Sequence, residues 1–337
     1  MNKWLSVEKE RRIAILENIS NQTGLSVISI EKDWWVTIVL KALYSMPFAE
    51  HLSFKGGTSL SKCWNLIERF SEDVDIAIDR EFLGFGGELS KTKISDKLRR
   101  ASCAFSRNVL TQELKKQLLN LGIDETQFTV NVDVTSITTT DPEIIEIHYS
   151  SDYDESSYVS KRVLIEVSGR SMSEPREKVN INSVISSTYP TASFAEENFQ
   201  VNAVSAKRTF LEKAFLLHEE FCKPEGAIRA DRMSRHLYDL EKLADTQIAK
   251  DALDDTKLYR DIIDHRRKFI GLKDFDYSTL LPATISFVPP IDVFVKWKED
   301  YEKMQSSMIY GASLPFDELI EGITKLNEKF RQLNVKE

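Results

Sequence analysis

Two textures of apolar and polar positions divide the chain. Up to about residue 204, short alternating runs are mixed with helical stretches; from Ser205 onward helical spacing alone continues. Residues 7–21 and 29–45 predict two helices. The second carries a broad apolar surface of Ile30, Trp34, Val36, Ile38, Leu40 and Leu43, and Pro47 stops it. His51 to Phe54 predicts a short strand that runs into the turn Lys55-Gly56-Gly57-Thr58-Ser59. Leu60 to Ile67 then predicts a helix with Thr58 or Ser59 as its N-cap. Ser71 to Ile78 alternates strictly and predicts a strand. Further strands are expected at 128–133, 144–149, 163–167, 179–185 and 199–204, and one or two helices over 91–121. Beyond Ser205, helices are expected at 206–221, 233–245, 256–269, 291–308 and 316–333. The expected fold class is therefore α/β (α+β), a mixed sheet with flanking helices followed by a helical C-terminal bundle. Residues 1–204 and 205–337 are the two expected domains.

Composition narrows the function classes. The chain has 337 residues, 42% hydrophobic and 29% charged, enough to bury a large core without staples. A disordered tail, a collagen-like repeat and a disulfide miniprotein are excluded. The net charge of −8 means that any nucleic-acid surface must be local. One stretch qualifies: residues 91–117 hold Lys91, Lys93, Lys97, Arg99, Arg100, Arg107, Lys115 and Lys116 against only Asp96 and Glu113. Residues 138–157 are acidic, and 150–157 predict an exposed hairpin loop. Cys63, Cys103 and Cys222 are far apart and read as reduced thiols, and the five histidines show no zinc-ligand spacing. The start of the chain lacks the pattern of a signal peptide. The most apolar stretch, Trp34–Leu43, is too short to span a bilayer and includes Lys41. A cytoplasmic protein without a membrane partner is expected.

The chemistry concentrates between Phe54 and Ile78. Asp73 and Asp75 are two apart on a strand, so they leave one face about 6.5–7 Å apart at the backbone, while Val74, Ile76 and Ile78 point to the core. Neighbouring carboxylates repel, and a divalent cation relieves the repulsion. Magnesium, with manganese as a substitute, prefers such hard oxygen ligands together with substrate phosphates. Upstream, Gly56-Gly57-Thr58-Ser59 sits at a strand-to-helix turn where backbone N–H groups and hydroxyls can meet an anion. Alone, the glycines read as a tight turn and the acids as a solvated pair. Together they assemble both halves of a metal–nucleotide site. Glu166, a charge inside the apolar run 163–167, needs a partner or a metal, and Arg170 could be that partner.

Phe54-Lys55-Gly56-Gly57-Thr58-Ser59-Leu60 with Arg69-Phe70-Ser71-Glu72-Asp73-Val74-Asp75-Ile76 resembles the first motif of the AbiEii/AbiGii toxin family, nucleotidyltransferases of the DNA polymerase beta-like superfamily. The interval from Thr58 to Asp73 is longer than in the shortest members and is expected to hold a longer helix. Residues 208–218, with Thr209 and Lys213 on one helical face, are similar to the family's lysine-bearing helix. Residues 232–240, with Arg235 and Asp239, are similar to its aspartate-bearing helix. Glu31-Lys32-Asp33-Trp34-Trp35 is also familiar for the group. Read without the resemblance, Lys213 pairs with Glu212 or Glu220 on a solvated face, and Arg235 and Asp239 form a surface pair.

The resemblance implies a polymerase beta-like sheet and transfer of a nucleoside monophosphate from a nucleoside triphosphate to an acceptor hydroxyl. It further implies RNA such as tRNA as acceptor, and the toxin of a type IV-like toxin–antitoxin or phage-defence system with a cognate antitoxin. The resemblance also implies a third carboxylate on a later strand, for which Glu166 is the candidate and Asp133 a second; on that basis Asp73, Asp75 and Glu166 would hold magnesium, Gly56–Ser59, Ser71, Thr209 and Arg235 would bind nucleotide and phosphate, and Lys213 and Asp239 would be catalytic, contributed to the cleft by the helical domain. Two alternatives remain at this level: a phosphotransferase using the same metal site, and a non-catalytic nucleotide- or RNA-binding module.

Overall fold

The computed structural model describes residues 2–132, 143–153, 160–224 and 226–335. Asp133, and the acids Asp141, Asp154 and Glu155 of the acidic stretch, lie outside the described residues. The chain divides into two compact units. One comprises residues 1–63 and 70–204; the other comprises Trp64–Arg69 and Ser205–Glu337.

The first unit is built on α1 (Lys9–Thr23), α2 (Val27–Tyr44), β1 (Leu52–Lys55), α3 (Gly56–Lys62), β2 (Asp73–Ile78), α4 (Arg99–Phe105), α5 (Thr111–Asn120), β3 (Phe128–Val132), β4 (Glu143–Tyr149), β5 (Arg162–Ser168), β6 (Arg176–Ile181), α6 (Val184–Thr188) and β7 (Phe199–Val204). The strands form one mixed sheet in the order β3-β4-β5-β2-β1-β7-β6. β2 pairs parallel with β5, β1 pairs parallel with β7, and the other neighbours are antiparallel. The acid-bearing β2 is thus the central strand.

Helix α2 explains why one face of this sheet is closed. It is apolar nearly all round, the signature of a buried helix, and Ser26 caps its start by accepting from Ser29 N. It packs against β2, β5 and β7. The β2 residues Val74 and Ile76 and the β5 residues Val163, Ile165 and Val167 are fully buried, whereas the alternate residues Asp73, Asp75 and Glu166 are only half-buried. Period-two alternation therefore leaves a polar face carrying the acids.

Three local expectations need correction. The helix after the glycine turn begins at Gly56 and ends at Lys62, and no side chain caps it. Gly56, at φ +81°, turns the strand directly into the helix, a conformation that favours glycine. The added length before Asp73 is not helix: Trp64–Arg69 joins the second unit instead. The strand expected over 179–185 stops at Ile181, because Ser183 accepts from Ser186 N and starts α6. Between Lys93 and Asn120 the helical run contains two wider π-helical turns, Lys93–Leu98 and Ser106–Leu110, so α4 and α5 are segments of one winding stretch.

The second unit holds α7 (Ala206–Phe221), α8 (Arg235–Ala244), α9 (Gln247–Asp254), α10 (Thr256–His265), α11 (Phe294–Ser307) and α12 (Phe316–Arg331). α7 packs against α8, α9 and α10 around an aromatic core in which Phe215 meets Tyr259 and Phe330 meets Phe210 and Phe287. The Trp64–Arg69 segment is held there by a bridge from Arg69 to Ile309 and by the Glu68 carbonyl, which accepts from Tyr310 N and Gly311 N. Among the described residues, no helix is long and apolar enough to cross a membrane.

Candidate active site

In the first unit, strand register gathers the acids. Asp75 lies opposite Lys55 on β1 and Glu166 on β5, and Asp73 lies opposite Leu164. Residues paired across neighbouring strands share a face, so Asp73, Asp75 and Glu166 occupy one side of the central strands. The glycine turn reaches the same place. A Cβ added at Gly56 would stand 2.0 Å from Asp75 Oδ2, so only a glycine lets the backbone approach that carboxylate so closely. Thr58 is spent on the same junction: its hydroxyl lies 2.5 Å from the Asp73 carbonyl, to which it donates, and 2.9 Å from Ser71 Oγ. Ser59 donates to the Gly56 carbonyl at 2.9 Å. The start of α3 is therefore fastened to the start of β2, with Ser71 and both aspartates beside it.

The donor set suits a hard divalent cation. Among the described residues no three His, Cys, Asp or Glu side chains already form a closed ligand cage. Magnesium does not require one, because it keeps waters and takes one or two carboxylates plus substrate phosphates. Asp73 and Asp75 fit that pattern, with Glu166 adjacent.

In the second unit, the lysine and aspartate helices meet. Lys213 Nζ on α7 lies 2.7 Å from Asp239 Oδ2 on α8. Asp239 also receives a two-pronged pair of hydrogen bonds from Arg69, Nε at 2.7 Å and Nη2 at 2.8 Å. All three side chains are buried, Asp239 completely. Lys213 is thus neither solvated nor paired with its sequence neighbours: Glu212 binds Arg208, and Glu220 binds Lys223 and Arg229. Nor are Arg235 and Asp239 a surface pair. Arg235 is half-buried on α8, and Thr209 is buried, its hydroxyl donating to the Ser205 carbonyl at 3.4 Å.

Burial alone would raise the Asp239 carboxyl, but Arg69 and Lys213 outweigh it and hold it below the usual carboxylate range. The Lys213 ammonium is also shifted below its ordinary value: burial lowers it, Arg69 and Arg235 add to the lowering, and Asp239 only partly compensates. His236, with Nδ1 3.5 Å from Lys213 Nζ, is held well below its ordinary value by burial and by the adjacent cations Lys213 and Arg235. Arg69 is the residue that sequence reasoning quoted in a motif without assigning it a role. Its place in the run leading to Asp73 was the available signal; its partner, 170 residues away, was not visible.

The basic stretch is less open than its composition implies. Arg100 pairs with Asp96, Arg107 with Glu143, Lys115 with Glu125 and Lys116 with Glu113. Lys91, Lys93 and Lys97 are exposed.

The first unit thus carries two aspartates on its central strand with a glycine turn packed on one of them, and the second unit carries a buried lysine–aspartate pair. The family model described as nucleotidyl transferase AbiEii toxin, type IV toxin–antitoxin system, matches residues 38–322, and the chain belongs to that family. MenT4, a nucleotidyltransferase toxin from Mycobacterium tuberculosis, shares the fold with a TM-score of 0.51 at 15% identity, over 95% of this chain and 90% of that one. JHP933 from Helicobacter pylori aligns over 91% of this chain and 94% of its own at 14% identity, with a TM-score of 0.46. No curated protein sequence matches the chain significantly.

Proposed function

We propose that the chain transfers a nucleoside monophosphate from a nucleoside triphosphate to an acceptor hydroxyl, releasing pyrophosphate, in a magnesium-dependent reaction. The observation that carries this reading is the closeness of Gly56 to the Asp75 carboxylate, which supports assigning phosphate binding and cation binding to one place. A bound divalent cation would supply charge stabilisation to the reacting phosphoryl group. Asp73 and Asp75 would hold it, with Glu166 as the proposed third carboxylate. The backbone N–H groups at Gly56–Ser59, with Ser71, bind and orient phosphate oxygens. Lys213 lends a positive charge to the triphosphate, as phosphoryl transfer requires, and Asp239 keeps that ammonium charged and aimed. Thr209 and Arg235 contribute to nucleotide binding.

The acceptor we assign is RNA, with tRNA as the preferred class. The family resemblance supports it, as do the exposed Lys91, Lys93 and Lys97, which can track a phosphate backbone. In this reading the protein is the toxin of its system, acts in the cytoplasm and is neutralised through a cognate antitoxin.

The test uses each nucleoside triphosphate labelled at the α or γ phosphate, incubated with magnesium and total RNA. Label entering RNA from the α position alone is expected. Label passing to any acceptor from the γ position would instead define a phosphotransferase, and binding without transfer would define a non-catalytic module.

Gly56→Ala gives an independent check. The left-handed conformation costs a non-glycine residue about 1–2 kcal/mol, and the new methyl group must displace the Asp75 carboxylate. Displacement on the order of 1 Å at a reacting centre costs roughly 100-fold in rate. Steady-state transfer by the variant is expected to fall by about that factor while its circular dichroism spectrum stays native.

A further inference from the structure

The run Glu31-Lys32-Asp33-Trp34-Trp35 on α2 has no task in the reaction above, yet its side chains reach the segments that carry the proposed metal–nucleotide site. Lys32, with a side chain 1% exposed, places Nζ 2.5 Å from Glu72 Oε2 and 3.0 Å from the Ser160 carbonyl. Glu72 immediately precedes Asp73. The next residue on α2, Asp33, accepts from Lys62 Nζ at 2.6 Å and from Val184 N at 2.8 Å. Lys62 is the last residue of α3, whose first residue is Gly56. Successive residues of opposite charge therefore grip the start of the acid-bearing strand and the end of the glycine-led helix. The flanking residues fix α2 itself: Glu31 accepts from Ser151 Oγ at 2.5 Å and Asp152 N at 3.2 Å, and Trp35 stacks on Tyr149 with centroids 4.9 Å apart.

A buried lysine–glutamate pair is a poor way to gain stability, because desolvation offsets most of the attraction and an apolar pair of similar volume does as well. What the ion pair adds is one directed geometry. In metal sites, residues that orient the ligands without touching the metal change affinity by roughly 10- to 100-fold.

We propose that Lys32 and Asp33 are positioning residues, two struts from α2 that hold the Asp73–Asp75 strand and the Gly56 turn in the register needed to take up a divalent cation. The proposal rests on the assignment of Asp73 and Asp75 as cation ligands. It is distinct from a stabilising role, since it separates cation affinity from resistance to unfolding.

The test titrates the full-length protein with Mn2+ in the presence of a non-hydrolysable nucleoside triphosphate, reading free Mn2+ by electron paramagnetic resonance. Lys32→Met/Glu72→Met replaces the ion pair by apolar side chains. We expect its Mn2+ affinity to fall roughly 10- to 100-fold with an unfolding midpoint equal to or above that of the wild type. Should that variant fail to fold, Asp33→Asn/Lys62→Met, which keeps an acceptor for Val184 N and leaves no unpaired buried cation, is expected to weaken Mn2+ binding in the same direction at a midpoint close to that of the wild type. Wild-type affinity in a folded variant would overturn the proposal, and so would a wild-type protein that binds no Mn2+. Wild-type protein that binds Mn2+ but transfers no nucleotide would sink the proposed reaction and leave the struts standing.

Discussion

Asp73→Asn and Asp75→Asn are each expected to reduce nucleotide transfer by about 1,000-fold or more, the scale of several kcal/mol that a correctly held cation contributes to a phosphoryl transition state. Stability should move the other way or not at all. Both side chains are half-buried on one face of β2, and neutralising one relieves repulsion by the other. The expected result is therefore an inactive protein whose thermal midpoint equals or slightly exceeds that of the wild type. A structural acidic pair predicts the reverse, with stability lost and residual activity tracking the folded fraction.

Asp239→Asn is expected to have the second-largest effect, and on both properties. Asp239 is fully buried between Arg69 and Lys213, so the substitution leaves two buried cations facing a neutral amide. Breaking a buried pair by removing one partner costs about 3–5 kcal/mol, which denaturant titration should register at neutral pH. The sign follows from the direction of the shift. A carboxyl held below its usual range stabilises the fold above its unfolded pKa, and that contribution is lost as pH falls through the folded value, so wild type and variant should converge in strong acid.

The activity of the surviving folded protein carries a second signature. The groups facing Lys213 are Asp239, His236 and Arg235 from α8 and Arg69 from the preceding segment, and Asp239 is the one that favours the charged ammonium. Wild-type transfer should decline with rising pH earlier than an ordinary lysine would dictate, because burial lowers Lys213. In Asp239→Asn that alkaline limb should move to lower pH still. An unchanged limb would mean that Lys213 does not act as a cation in the reaction.

Much of this site is legible without coordinates because its signals are local. The alternation through Ser71–Ile78 separates the two aspartates from the core residues between them, and Asp73 and Asp75 do lie on the half-buried face of β2. Glu166 is visible as the single charge in the apolar run 163–167, and register places it opposite Asp75. What escapes the sequence is either long-range or set by small residues. The Arg69–Asp239 contact joins residues 170 positions apart and leaves no periodic trace. Helix α9 leaves little trace in the pattern because its buried residues, Ala249 and Ala252, are small and give little apolar contrast; its start is set by Thr246, which accepts from Ala249 N. The start of α3 is hidden in the sequence because glycine usually ends helices, whereas Gly56 opens one through its positive φ.

In the proposed reaction the glycine turn and the two aspartates serve one cation-bound triphosphate. The most direct measurement is a crystal structure of the wild-type protein with Mn2+ and a non-hydrolysable nucleoside triphosphate, with manganese located by anomalous scattering. A manganese peak is expected against the Asp73 and Asp75 carboxylates, with triphosphate oxygens at the backbone of Gly56–Ser59. Triphosphate bound elsewhere, or manganese away from both aspartates, would contradict it.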